Sequence, residues 1–440
     1  MRVTSIVLVT RHCFGGKDNL MRINSSKYYR RLSVLAVAAS AILAILLVPQ
    51  SGDSHTPITT KVMFNKEIAR IFQRNCVACH SDSSITGIPL VSYAQSRPWA
   101  KAIEEEVLER RMPPNQPAKG FGNFLNDNTL SQRDIDLIVS WVEGGAPKGD
   151  DKDFPAAADR STWKLGPPDL VLQPEREIKI TATGDDENQC VVLSTGQNSD
   201  RWLKAIDFHP GNDSVVHSAS FEIDRSTKSQ MLELTGQTLG SCGSPAESAD
   251  RLGSWFPGQT SIPFPPSAAR LLPAGARILM RVRYHKTGQA SVDKSSLALY
   301  FTKEKAAGSL STIAISAPET NIAAGVENYR IRTSHTVAET TEIVAIRPTL
   351  FPFLKSLEAT AYKPDGTVEV LFWATNYRYD WQPEFRFKYP VSLPKGTRIQ
   401  ATAYVDNSDN NPDNPNSPAK ALKFAPALCE LSLVKVDGGK

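Results

Sequence analysis

Cys76-Val77-Ala78-Cys79-His80 is the densest piece of chemistry in the sequence. Two thiols separated by two residues and followed at once by an imidazole form the attachment pattern of a c-type haem. The spacing has a physical reason. Both thiols must reach the vinyl groups on one side of a porphyrin, and the histidine that follows is brought under the iron as axial ligand. A zinc or dithiol site would need a second CxxC or a histidine pair to complete it, and the chain has neither. The second axial ligand is expected in Arg111-Met112-Pro113-Pro114, where the prolines stiffen the loop that carries the Met112 thioether. Met63, just before the first expected helix, is its rival. An iron held by His80 and Met112 has a raised potential and transfers electrons without leaving a position open to substrate.

The elements that must position this motif are helical. Phe64, Ile68, Ile71 and Phe72 fall on one stripe of a helix over 64–75 that ends just before the cysteines. A second helix is expected over 98–111, with Pro98 in its first turn, and a third from the N-cap Ser131 to Gly144-Gly145. Three helices with a CxxCH near the first resemble a class I cytochrome c, which gives an all-α domain over 56–148. Residues 149–164, charged and aperiodic, read as a linker.

Upstream, the apolar run 32–48 follows the basic segment Lys27 to Arg31, the layout of an export signal. Residues 1–50 are therefore a leader, either a cleaved signal or an uncleaved N-terminal anchor, and Met21 offers an alternative start. The protein is expected in the periplasm or exported, touching membrane only through that segment. The net charge of +4 resides in residues 1–50, which hold seven basic side chains against Asp18 alone, so no nucleic-acid surface is implied.

From Leu165 the period changes to two. Along Arg277 to His285, Ile278, Met280, Val282 and Tyr284 point one way and Leu279, Arg281, Arg283 and His285 the other, as a half-buried strand requires. Similar runs recur to the C-terminus between Pro, Gly and Asn turns. Their length implies two sandwiches, over 165–305 and 306–436. In an oxidising compartment two of Cys190, Cys242 and Cys429 should pair; Cys190 with Cys242 is preferred because both fall in the first sandwich, and other pairings stay open.

Beyond the haem motif with RMPP, the chain carries RWLKAIDFHPGNDSVVHSA, GSWFPGQTSIPFPPSAARLLPAGARILMRVRYHKTG, EIVAIRP and YKPDGTVEVLFWATNYRYDWQPEFRFKYPVSLPKGTRIQATAYVDNS. Together these resemble the copper type II, ascorbate-dependent monooxygenases, related to peptidylglycine- and dopamine-hydroxylating enzymes, in a bacterial form fused to a cytochrome c. The resemblance implies two eight-stranded jelly rolls, each carrying one copper. One copper would store an electron, and the other would bind oxygen and hydroxylate an aliphatic carbon. The family's His-His pair reads His217-Ser218 here, and His285 is kept, with Arg283 where many relatives have a further His. At the oxygen-binding copper, the His-x-His positions read Thr349-Leu350-Phe351, and no Met follows Met280. Residual copper would thus fall to His217 and His285, with His209 as a third donor.

Three readings follow. The first is an electron-transfer haem protein with a redox partner protein, whose monooxygenase-like scaffold has lost its catalytic copper and serves docking or binding. The second is a copper monooxygenase fed electrons through the haem. The third is a structural subunit of a periplasmic redox complex, with the aromatics Trp373, Tyr377, Tyr379, Trp381 and Phe385 either at a partner surface or in a core.

Overall fold

Alternating apolar residues in the C-terminal two thirds can bury one face of a strand only by pairing sheet against sheet, and the computed structural model shows that arrangement twice. It describes residues 59–83, 86–114, 117–156, 163–224, 251–259, 261–266, 268–303, 308–375, 378, 381–424 and 429–438. The expected leader, Cys242, Tyr377 and Tyr379 lie outside these residues. Among the described residues no helix is long and apolar enough to cross a membrane.

The first sandwich comprises β1 (Leu170–Leu172), β2 (Ile178–Ile180), β3 (Glu187–Ser194), β4 (Arg201–His209), β5 (Val216–Asp224), β6 (Arg251–Trp255), β7 (Ala268–Leu272), β8 (Arg277–Tyr284), β9 (Ser291–Asp293) and β10 (Ser296–Thr302). The second comprises β11 (Gly308–Ser316), β12 (Thr320–Ile322), β13 (Val326–Thr336), β14 (Thr341–Leu350), β15 (Leu354–Tyr362), β16 (Val368–Thr375), β17 (Phe385–Leu393), β18 (Arg398–Asn407), β19 (Leu422–Phe424) and β20 (Cys429–Gly438). With the short pairs β2–β9 and β12–β19 set aside, the sheets run β1-β10-β4-β7 and β3-β8-β5-β6 in the first, β11-β20-β14-β17 and β13-β18-β15-β16 in the second. Both halves thus place their eight main strands in the order 1-8-3-6 over 2-7-4-5, which is the jelly roll. Ile278, Met280, Val282 and Tyr284 are fully buried along β8, as the alternation predicts.

The two jelly rolls share a sheet. Parallel pairing of Ala268 and Ala269 in β7 with Gly308 and Ser309 in β11 joins two four-stranded sheets into one of eight. Val344, Ala345 and Val434 of the second jelly roll pack into the core of the first. A sequence divided at 305 hides this continuity, because two residue pairs carry no periodic signature of their own.

The helices lie in residues 64–143, where a π-helical turn (Phe64–Ile68) leads into α1 (Ala69–Asn75). Then follow α2 (Tyr93–Ser96), a 3₁₀ turn (Arg97–Trp99), α3 (Ala100–Leu108) and α4 (Gln132–Glu143). Phe64, Phe72 and Trp141 form their aromatic centre, with ring separations of 5.7 to 6.4 Å, and the buried Trp141 indole donates to the Pro147 carbonyl at 3.1 Å. Ser131 caps α4 by accepting from the Asp134 amide at 3.1 Å. Ser131→Ala is expected to cost about 1 kcal/mol in urea unfolding, the usual value of an N-cap. An unchanged midpoint would show that the cap contributes nothing.

Residues 150–154 pack on the helices, and the loop between α3 and α4 packs on the second jelly roll. In the segment read as a linker, Asn65 donates to the Asp150 carbonyl at 3.0 Å, Arg70 to that of Asp153 at 3.0 Å, and Phe154 stacks on Phe64. The loop between α3 and α4 reaches the second jelly roll. Phe124 bridges to Phe387, the Leu125 amide donates to the Arg386 carbonyl at 2.8 Å, and the Lys388 amide to that of Asn123 at 2.7 Å. Residues 57–440 accordingly form one compact unit.

Candidate haem-attachment site

α1 does not end cleanly at Asn75. The amides of Cys76 and Val77 donate to the Phe72 carbonyl, and those of Cys79 and His80 to the Cys76 carbonyl, at 2.8 to 3.0 Å. This added turn gathers the two thiols and the imidazole at one end of the helix, because residues three and four apart share a face. Burial, and then the neighbouring Cys79, push the Cys76 thiol up to about 12, against the opposing pull of Arg74. Neither thiol is in a disulfide.

His80 is oriented from behind. Its Nδ1 lies 2.9 Å from the Ile88 carbonyl oxygen, and the Leu90 amide donates back to the His80 carbonyl at 2.9 Å. A carbonyl can only accept, so Nδ1 carries the proton and the Nε2 lone pair is left for a metal. Burial lowers the imidazole's pKa, offset in part by the Ile88 contact, which favours the neutral, ligating form. The residues present therefore fit a covalently held haem: two neighbouring thiols that are in no disulfide, and an imidazole whose Nδ1 is held by the Ile88 carbonyl.

Met112 lies four residues past the end of α3. Its amide and that of Arg111 donate to the Glu106 carbonyl, and the Arg111 guanidinium pairs with Glu105 at 2.9 Å and Glu106 at 3.1 Å. The side chain is half-buried. Met63 is held at the opposite end of the first helix, its amide donating to Glu67 at 2.9 Å and its Cβ packed beside Gly149. Twelve helical residues separate that end from the motif, about 18 Å at 1.5 Å per residue, which disfavours Met63 as a partner of His80.

One neighbour of the motif was not legible in the sequence. The Cys79 thiol donates to the Pro257 carbonyl at 3.1 Å, so the loop after β6 lies against it. Gly258 follows with φ +84, and a Cβ there would stand 2.6 Å from the Cys79 sulfur. Only glycine permits both that backbone and that approach. Phe256, one residue before Pro257, packs on Trp381 at 5.6 Å, and Trp381 in turn lies 6.0 Å from the His217 ring. The expected aromatic cluster is thus divided: Phe385 is core, Trp373 meets Phe121 at 5.1 Å, and Trp381 bridges the jelly rolls.

The three histidines considered for copper are dispersed. His209 lies on β4 in the eight-stranded sheet and stacks on Trp163 at 3.8 Å. His217, at a bulge in β5, and His285, past the end of β8, belong to the facing sheet. His285 Nδ1 is 2.9 Å from Asp186, which also pairs with Arg283 at 3.1 Å, so a cation already sits beside it. His335 is on β13 of the other jelly roll. Among the described residues no group of three or more His, Cys, Asp or Glu side chains is placed to hold a metal ion. Cys190 is disulfide-bonded and Cys429 is free; the preferred partner of Cys190, Cys242, lies outside the described residues.

No known protein family matches the sequence, and no curated protein matches it. Among solved structures, infectious bursal disease virus Gx strain gives 10% identity over 62% of this chain and 76% of that one, with a TM-score of 0.18. The major capsid protein P2 from bacteriophage PM2 gives 10% identity over 62% and 98%, with a TM-score of 0.23. A two-domain protein of unknown function from Bacteroides fragilis gives 10% over 60% and 94%, at 0.16. Superposition this poor carries no argument, and the architecture rests on the strand order itself.

Proposed function

We propose that this chain is an exported monohaem c-type cytochrome of class I type that transfers electrons to or from a partner protein. Its jelly rolls are a copper-monooxygenase-like scaffold that has lost its catalytic copper and serves as a docking and binding module. The observation that supports the reading best is the placing of two neighbouring thiols, neither in a disulfide, beside an imidazole whose Nδ1 is committed to the Ile88 carbonyl. Cys76 and Cys79 would form the thioethers, and His80 and Met112 would be the axial ligands. A haem so held supplies a one-electron couple. The chain's own part is to hold His80 neutral, to fix the Met112 loop through Arg111, and to cover the Cys79 side with Pro257 and Gly258. On this reading His209, His217 and His285, carried by two sheets, have no catalytic role. Residues 32–48 would direct export to the periplasm, as signal or anchor.

Expression of the full chain in a host equipped for cytochrome c maturation tests this. The wild type should carry one haem that survives denaturing electrophoresis, with iron and no copper by elemental analysis, in the periplasmic or membrane fraction. The double variant Cys76→Ser, Cys79→Ser should lose it. A wild-type chain without covalent haem would falsify the proposal.

A further inference from the structure

A cavity of about 520 Å³ lies away from the Cys76–His80 motif, where the two jelly rolls meet. That is the size of an ordinary small-ligand site. Its walls come from β6, β7, β11, β14, β17 and β20, with Leu125 from the helical unit's loop. Much of the lining is apolar, including Leu252, Phe264 and Val344, but the charges are one-sided. Arg251, Arg270, Arg347, Arg386 and Lys388 line the cavity, and Glu384 is the lone acid among the lining residues.

The neighbouring carboxylates are already committed. Glu384 is shared between Arg347 and Arg386, each at 3.4 Å. Glu222 pairs with Arg281 at 3.5 Å. Glu430 is reached from Arg347 only through the Ser432 hydroxyl, which accepts from Arg347 at 3.1 Å and donates to Glu430 at 2.8 Å. Arg347 is only 8% exposed, yet its Nε has no hydrogen-bond partner among the described residues, and neither has Nε of Arg251. Burial, and then repulsion from Arg347, lower the Arg251 guanidinium to about 9. Glu384 alone answers both Arg347 and Arg386, and Nε of Arg251 and of Arg347 is left without a hydrogen bond, so the lining holds an excess of positive charge around a space large enough for a molecule and is suited to receive opposite charge.

We propose that this cavity binds a small organic dianion with an apolar body, a dicarboxylate or a phosphate monoester, through Arg251, Arg347 and Arg386. Guanidinium forks suit both groups, since each offers paired oxygens for two parallel hydrogen bonds. The apolar walls take the body of the ligand, and exposed Lys388 adds positive charge among the lining residues. This site does not depend on the haem reading.

Calorimetric titration and thermal unfolding of the full chain with glutarate, phenyl phosphate and, as monoanion control, butyrate decide the matter. At least one dianion should bind one-to-one and raise Tm, with butyrate at least about tenfold weaker, roughly one charge-assisted hydrogen bond's worth. Binding of glutarate alone identifies the ligand as a dicarboxylate, and of phenyl phosphate alone as a phosphate ester. Arg251→Met should weaken binding about tenfold or more while leaving the unliganded protein at least as stable, because a guanidinium repelled by Arg347 and with its Nε left without a hydrogen bond is removed. Lys388→Gln, at an exposed position, should weaken binding severalfold with Tm unchanged. Failure of both dianions to bind, wild-type affinity in both variants, or a loss of stability in Arg251→Met without loss of affinity would overturn the proposal.

Discussion

Phe124→Ala is expected to destabilise the protein by about 3–5 kcal/mol, the usual effect of emptying a buried aromatic site. Phe124 belongs by sequence to the loop between α3 and α4, yet it is 6% exposed and sits in the core of the second jelly roll. Its ring lies 4.8 Å from Phe387 and 5.4 Å from Phe385. Gly122, with φ +76, makes the insertion possible: a Cβ there would stand 2.3 Å from the Phe124 ring and 2.8 Å from the Leu371 carbonyl. Equilibrium urea unfolding measures the effect, with exposed Leu108→Ala as a control expected to move stability by no more than about 0.5 kcal/mol. The expected loss is a large fraction of a typical stability of about 5–15 kcal/mol. A change under about 1 kcal/mol would mean that the loop does not dock on the second jelly roll in solution.

The second large effect concerns Met112. On the proposed haem reading, Met112→Ala should leave the haem attached, because Cys76 and Cys79 would still hold it, while lowering the midpoint potential and removing the absorption that a Met112 ligand would give. Met63→Ala should change neither, since Met63 is anchored beside Gly149 at the far end of the helix. Redox titration with visible spectroscopy separates the outcomes. If the two variants exchange behaviours, the axial assignment passes to Met63; if neither changes, the sixth position belongs to another group. The loop that carries Met112 continues into Phe124, so Phe124→Ala tests the support of the same ligand from the opposite side.

The helices and most strands were legible because their periods are local. Ser131 and Gly144 bound α4 as expected, and the alternation from Arg277 to Tyr284 reports its buried face directly. The turn from Cys76 to His80 was legible for a similar reason, as its hydrogen bonds are local. What could not be read was the far partner of each group. Nothing near Cys79 announces Pro257, and the carbonyl that fixes His80 belongs to Ile88, eight residues on. The buried arginines left a faint trace, as single cations inside the apolar runs Ala268 to Leu272 and Glu342 to Pro348. A strand with one face on a core and one on solvent would look the same.

The sequence by itself determined a thiol-thiol-imidazole turn at the end of a helix and two sets of alternating strands, since backbone period and a short spacing need no information from elsewhere in the chain. The tertiary structure alone decided that the two jelly rolls share one sheet and that a helical-unit loop lends a phenylalanine to the second core. It alone also gathered four arginines, from β6, β7, β14 and β17, around one cavity. Charge at that distance along the chain is additive only in space: each arginine is ordinary in its own strand, and the field they create exists only once the strands are paired.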